Sequence, residues 1–473
     1  MIWISVFAAC TTPTTGDTGD SSDTAPPPAR REGTWDVATV DAAVAGDEPG
    51  AELGAAVAIG DTTGDGVPDL LVGARQAIDG SGTAWLLAGP LAPGVGTLAG
   101  AVRLGSPLTE QAGTESCAGA DLTGDGVGDA VIGTRAWSGT PEGGAAFVMA
   151  GPITADQRLD TDAAATLAGA EAGDLFGLAV SCGGDADGDG DADLLVGARA
   201  HDGVAPDSGV AYLFAAPLSG ALGPDDARLA VRGGAPDEGA GRAVDLRGDL
   251  DGDGLADVVV GAYRASHRVP FGGAVYVVWG TAQGVVDVGD ADVVLDTAED
   301  GASAGRALAS AGDLDGDGRA DLVVGMSGVR DLAGSAVVLY APLASGDLGA
   351  TAGGRVDAPT ADANLGYAVA AGLDLDDDGR SELAVGAPGQ HGDAAGVAPG
   401  EVWAFYGPVH GALAGGDASL RVSSPEAGAG LGYALAGGDL DGDGRDDLAF
   451  GANVGDAGGL DAGWVGVLFG EAP

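Results

Sequence analysis

The sequence predicts an all-β fold: a seven-bladed β-propeller of four-stranded antiparallel blades, closed by pairing an N-terminal strand with the last blade. Three observations predict it. A nine-residue acidic loop recurs seven times, starting at Asp61, Asp121, Asp185, Asp249, Asp313, Asp374 and Asp439, at intervals of 60 to 65 residues. Each copy is followed at once by a short apolar run, as in Leu322-Val323-Val324-Gly325. Finally, the two ends are complementary: the seventh unit has strand-like runs at Asp447–Phe450 and Trp464–Phe469 but lacks a fourth. The stretch Trp35–Asp41 precedes the first complete unit and has no partner of its own. A single repeat running through most of a chain this long indicates an array rather than separate domains.

The elements follow in order. Residues 1–9 are apolar and end at Cys10, and Phe7-Ala8-Ala9-Cys10 resembles a bacterial lipobox, which implies a signal segment and lipidation of Cys10. Residues 10–32 are rich in Thr, Ser, Asp, Gly and Pro and read as a flexible tether, because such a composition buries too little apolar surface to fold. The repeat occupies 33–473. In its third unit four runs, 175–180, 193–198, 209–214 and 227–232, are short, rich in Val, Leu and aromatics, and bounded by Gly, Pro and Asp. That is a strand signature, and four antiparallel strands per unit repeated seven times give a propeller. Pairing Trp35–Asp41 with the last unit would remove an exposed edge.

The loop Asp313-Leu314-Asp315-Gly316-Asp317-Gly318-Arg319-Ala320-Asp321 shows the chemistry best. Carboxylates at positions 1, 3 and 5 can converge on one ion, position 7 can add its carbonyl, and position 9 can close the shell. Gly at position 6 permits the sharp turn. Oxygen donors without His or Cys select a hard cation, so calcium is expected, up to seven ions in all. The ligands expected are Asp61, Thr63, Asp65 and Asp69; Asp121, Thr123, Asp125 and Asp129; Asp185, Asp187, Asp189 and Asp193; Asp249, Asp251, Asp253 and Asp257. The remaining loops add Asp313, Asp315, Asp317 and Asp321; Asp374, Asp376, Asp378 and Glu382; Asp439, Asp441, Asp443 and Asp447. Thr63 and Thr123 lower the charge of the first two loops, which should bind more weakly. A helical calcium-binding hand is excluded, since it needs a twelve-residue loop ending in Glu between helices.

Acidic residues outnumber basic ones 71 to 20, for a formal net charge of −51, and every basic residue is Arg. This charge excludes nucleic acid and anionic lipid as partners. No run of eighteen apolar residues appears, so membrane association is expected only through Cys10. Export to the bacterial outer membrane, cell surface or medium follows from the leader.

The motifs Phe176-Gly177, Asp-x-Asp-x-Asp-Gly-x-x-Asp and Gly386-Ala387-Pro388, with looser versions such as Leu53-Gly54 and Gly73-Ala74-Arg75, resemble the FG-GAP repeat family. Its best-known member is the N-terminal propeller of integrin α subunits. The resemblance covers 33–473 and implies structural calcium and a protein or carbohydrate ligand. It also implies that the ligand binds on the face opposite the acidic loops, where the second and third strands of each blade join. Those loops hold Arg75, Arg135, Trp137, Arg199, His201, Tyr263, Arg264, His267, Arg268, Phe271, Arg330 and His391, while the neighbouring fourth-to-first loops hold Glu171, Asp174, Asp237, Glu238, Glu299 and Asp300. Arg and aromatics are common interface anchors. The expected function is therefore that of a monomeric recognition or adhesion module. A polysaccharide-acting enzyme or lectin on the same face, and a purely structural envelope protein, are the alternatives. No hydrolase elbow or phosphate loop is present, and no catalytic residue is assigned. Cys117 and Cys182 occupy nearly equivalent places in adjacent units, as an inter-blade disulfide or as two buried thiols.

Overall fold

The structure, a computed structural model, describes residues 33–36, 40–137, 143–310, 312–389, 399–457 and 459–470. The leader, Cys10 and the tether lie outside these residues. The described chain is almost entirely β-structure, with helices no longer than single turns such as Leu159–Asp162. None of them is long and apolar enough to cross a membrane. It forms seven mostly antiparallel five-stranded sheets whose innermost strands follow one another around a ring, and a small pairing of Thr109–Glu110 with Ala136–Trp137. The third blade is typical: Phe176–Cys182 is innermost, followed outward by Leu194–Ala198, Val210–Phe214 and Leu229–Arg232.

Each blade also carries a fifth, outermost strand that runs parallel to the fourth. In the third blade it is Gly284–Asp287, which comes from the connection between the third and fourth strands of the next blade. This handover recurs around the ring and brings one correction. The strand that completes the seventh blade is Ala42–Ala45, paired antiparallel with Trp464–Leu468, not Trp35–Asp41. Gly33–Asp36 instead runs parallel to Leu420–Ala427 on the outside of the sixth blade, with Trp35 opposite Val422. Residues 37–39 lie outside the described set. The N-terminal segment thus makes two connections, one to each of the last two blades.

Buried apolar residues form seven clusters, one between each pair of adjacent blades. The blades approach most closely at glycine. A Cβ on Gly197, in the second strand of the third blade, would lie 2.1 Å from the carbonyl oxygen of Gly241 in the fourth. Gly73 and Gly113, Gly133 and Gly177, Gly261 and Gly305, Gly325 and Gly366, Gly386 and Gly432, and Gly451 and Gly54 repeat this contact at 2.0 to 2.1 Å. Backbone meets backbone at every junction, so no side-chain rearrangement could make room for a larger residue. Cys117 and Cys182, on the innermost strands of the second and third blades, are joined by a disulfide with Cα atoms 6.1 Å apart.

Candidate metal sites and ligand face

Every acidic loop joins the first and second strands of its blade, so all seven lie on one face of the disc. In five of them a carboxylate oxygen from each of positions 1, 3 and 9 falls within 4.8 Å of the others: Asp185, Asp187 and Asp193; Asp249, Asp251 and Asp257; Asp313, Asp315 and Asp321; Asp374, Asp376 and Glu382; Asp439, Asp441 and Asp447. Three oxygens that close can hold one metal ion. The loops with Thr63 and Thr123 do not form such groups. There the threonine hydroxyls lie 3.4 Å from Asp69 and Asp129 and carry no charge.

Position 9 is fully buried in all seven blades, at 0% exposure for Asp69, Asp129, Asp193, Asp257, Asp321, Glu382 and Asp447. Its carboxylate accepts the backbone N–H of loop position 2, as from Leu314 to Asp321 at 2.8 Å. In six blades the other oxygen accepts an N–H just past the third strand, as from Ala341 to Asp321 at 3.0 Å or Gly151 to Asp129 at 2.9 Å. The sixth blade differs, because Glu382 Oε1 is buried without a hydrogen-bond partner. Burial, with a smaller push from neighbouring loop carboxylates, raises Asp193 and Asp321 to about 6, Asp257 and Asp447 to about 7 and Glu382 to about 8. Buried carboxylates held this close favour a cation that stabilises their charged form. The donor set is oxygen throughout, so the residues present fit a hard divalent ion.

Positions 1 and 5 are shaped by the backbone. Asp185 accepts N–H groups from Gly188 at 2.7 Å and Gly190 at 2.9 Å, which winds the loop around it. The position-5 carboxylates Asp65, Asp125, Asp189, Asp253, Asp317, Asp378 and Asp443 stay outside the groups within 4.8 Å. Each accepts the N–H two residues on, as Asp317 does from Arg319 at 3.0 Å. The carboxylates that come within 4.8 Å of one another are those at positions 1, 3 and 9.

On the opposite face the basic and acidic loops largely neutralise each other. Arg75 Nε lies 2.5 Å from Glu52, His201 Nδ1 3.2 Å from Asp174, Arg264 3.8 Å from Asp237, His267 3.4 Å from Glu238 and Arg268 2.5 Å from Asp296. The carboxylate partners raise both His201 and His267 above their ordinary values. Arg135 is exposed and 3.4 Å from Glu110. Trp137 packs edge-on against Phe147 with ring centroids 5.4 Å apart, and exposed Phe271 lies beneath the guanidinium of Arg264. Arg330 falls in the turn Val329–Leu332 with its side chain outside the description, and His391 lies outside the described residues.

Residues 249–324 match the FG-GAP-like repeat, and residues 53–87 and 365–405 match the FG-GAP repeat. These three stretches carry FG-GAP repeats. Together with the seven-bladed ring they are consistent with an integrin α-like propeller. The chain is also 33% identical over 174 residues to phosphatidylinositol-glycan-specific phospholipase D of Rattus norvegicus, across 35% of this chain and 20% of that protein. It thus spans about a fifth of that relative's length.

The innermost strands of the propeller enclose an axial cavity of about 500 Å³, in whose lining Ala is the most frequent residue. At its end away from the acidic loops, one equivalent position of each blade faces the axis, just after the first-motif glycine. In the fourth to seventh blades it holds Arg242, Arg306, Tyr367 and Tyr433; in the first three it is the uncharged Ala55, Thr114 and Leu178. The guanidinium of Arg306 lies 4.0 Å from the centre of the Tyr367 ring, and the Tyr367 and Tyr433 rings are 4.9 Å apart. Arg75 donates to the Tyr433 hydroxyl at 2.6 Å. Arg199 also lines the cavity, with its guanidinium 3.5 Å from the Tyr263 hydroxyl. Reading each repeat alone misses Arg242 and Arg306. Aligning the repeats would expose them, since each follows an Ala-Gly pair and they stand 64 residues apart.

Proposed function

We propose that this FG-GAP propeller is a calcium-stabilised recognition module that binds a protein or carbohydrate ligand on the face opposite its metal loops. The separation of the two faces carries this reading. Charged groups able to hold cations crowd one side, while an open cavity reaches the other, with Arg75, Arg199, Arg242 and Arg306 in its lining. Bound calcium would neutralise the loop carboxylates and fix the scaffold, leaving the second face free for binding. The FG-GAP matches and the similarity to a stretch of a phosphatidylinositol-glycan-specific protein support a binding role, and that relative's activity is not carried over. The Cys117–Cys182 disulfide suits an oxidising compartment, in keeping with an exported protein anchored through Cys10. A survey of glycan arrays and envelope-protein extracts with the calcium-loaded chain tests the proposal. Saturable binding that is lost on substituting the cavity-side face supports it. Binding that survives those substitutions, or none on any panel, contradicts it.

A further inference from the structure

The cavity-side face gathers more cations than carboxylates to pair them. The chain has only 20 basic residues against 71 acidic ones, yet Arg75, Arg199, Arg242 and Arg306 line one cavity mouth. Arg75 is paired with Glu52, but among the described residues neither Arg242 nor Arg306 forms an ion pair with a carboxylate. The Nε of Arg306 is buried and has no hydrogen-bond partner. Burial lowers the pKa of Arg199 and Arg306, and Arg242 lowers both further by like-charge repulsion. Glu115, the carboxylate of the cavity wall, is raised to about 7 by burial despite three guanidiniums nearby, so it answers them only in part near neutral pH.

Like charges set close together without counter-ions destabilise a fold, and such strain persists where a ligand relieves it. Guanidinium groups present planar paired donors that match a carboxylate or another oxyanion. The rest of the mouth suits hydroxyl groups. Thr114 and Ser116 line it, and Ser116 Oγ is buried without a hydrogen-bond partner. Its size suits one or two sugar units rather than a folded partner.

We propose that the mouth of the axial cavity is a binding site for an acidic sugar, with Arg242 and Arg306 taking the carboxylate and Thr114, Ser116 and Glu115 meeting the hydroxyl groups. This deepens the recognition reading and rests on it only for which face is open. A free acid and the terminal unit of an acidic polysaccharide share the chemistry.

The test is calorimetric titration of the calcium-loaded chain with galacturonate, an oligogalacturonate, a neutral galactose oligomer and inorganic phosphate, on the natural chain and on Arg242→Gln and Arg306→Gln. The acidic saccharides are expected to bind, with affinity reduced at least about tenfold in each variant and for the neutral oligomer. Equal affinity for the monomer and the oligomer assigns the site to the free acid, and tighter oligomer binding assigns it to a polysaccharide end. The melting temperature of Arg242→Gln is expected to stay level or rise, because its removal relieves repulsion. Absence of binding by either acidic saccharide overturns the proposal, as does unchanged affinity in Arg242→Gln. Phosphate binding as tightly as the saccharides overturns the sugar assignment. A ligand found in the array survey that is lost on substituting the surrounding loop residues Arg135 and Trp137, yet binds both variants normally, would overturn this site while leaving the recognition reading standing.

Discussion

At the scale of single residues, the loop carboxylates divide by burial into two jobs. Asp321 accepts two backbone N–H groups in a fully buried position, whereas Asp317 accepts one from its own turn in solvent. Asp321→Asn puts an amide N–H against one of those donors and leaves it unsatisfied, at a cost of about 1–3 kcal/mol even without metal. Asp317→Ala should stay within about 0.5 kcal/mol in metal-free protein. Chemical denaturation in chelator checks the pair, and equal losses would contradict the division. The sequence could not make this distinction, because positions 1, 3, 5 and 9 are all acidic. The second partner of Asp321, Ala341, lies 20 residues further on, beyond the reach of loop spacing.

At the scale of elements, the blades are held apart by backbone contacts at glycine. Gly197→Ala would drive a Cβ to 2.1 Å from a neighbouring carbonyl and should cost about 2–3 kcal/mol or more. Gly66→Ala is the control: its Cβ would meet open space, so only its left-handed backbone, at φ +89°, adds a cost of about 1 kcal/mol. Equal melting temperatures would show that the junctions yield. The glycine motifs were plain in the sequence, but their pairing across blades was not, since each contact joins two different repeats. The closing strand differs from the one the sequence predicts for a related reason. Trp35–Asp41 has the stronger strand propensity, whereas Ala42–Ala45 wins by position. Its Ala42 and Val44 are buried opposite Val467 and Val465, where little space is left. Removing residues 33–36 should therefore cost only the outer strand of the sixth blade, whereas removing 33–45 should open the ring and lower the melting temperature much further. Equal effects would contradict closure by Ala42–Ala45.

At the scale of the whole molecule, an acidic ring stands on one face and the axial cavity opens toward the other. Seven repeats, blade composition and the acidic face were legible because each repeat states them again. The pairing of the basic and acidic loops, and the axial arginines Arg242 and Arg306 that no described carboxylate pairs, emerge only when all blades are assembled. Metal bound in these loops is expected to hold the ring together. Five carboxylate groups of the kind seen here, each binding calcium at about 10⁻⁴ M, would stabilise the fold by about 7 kcal/mol at about 1 mM calcium. For a chain this long that corresponds to roughly 8 °C in melting temperature. The most direct measurement is thermal unfolding with calcium and with chelator, alongside metal analysis of the purified chain. A fall of about that size on chelation and about five bound ions are expected, with the Thr63 and Thr123 loops the weakest. An unchanged melting temperature, or a chain that binds no calcium, would contradict it.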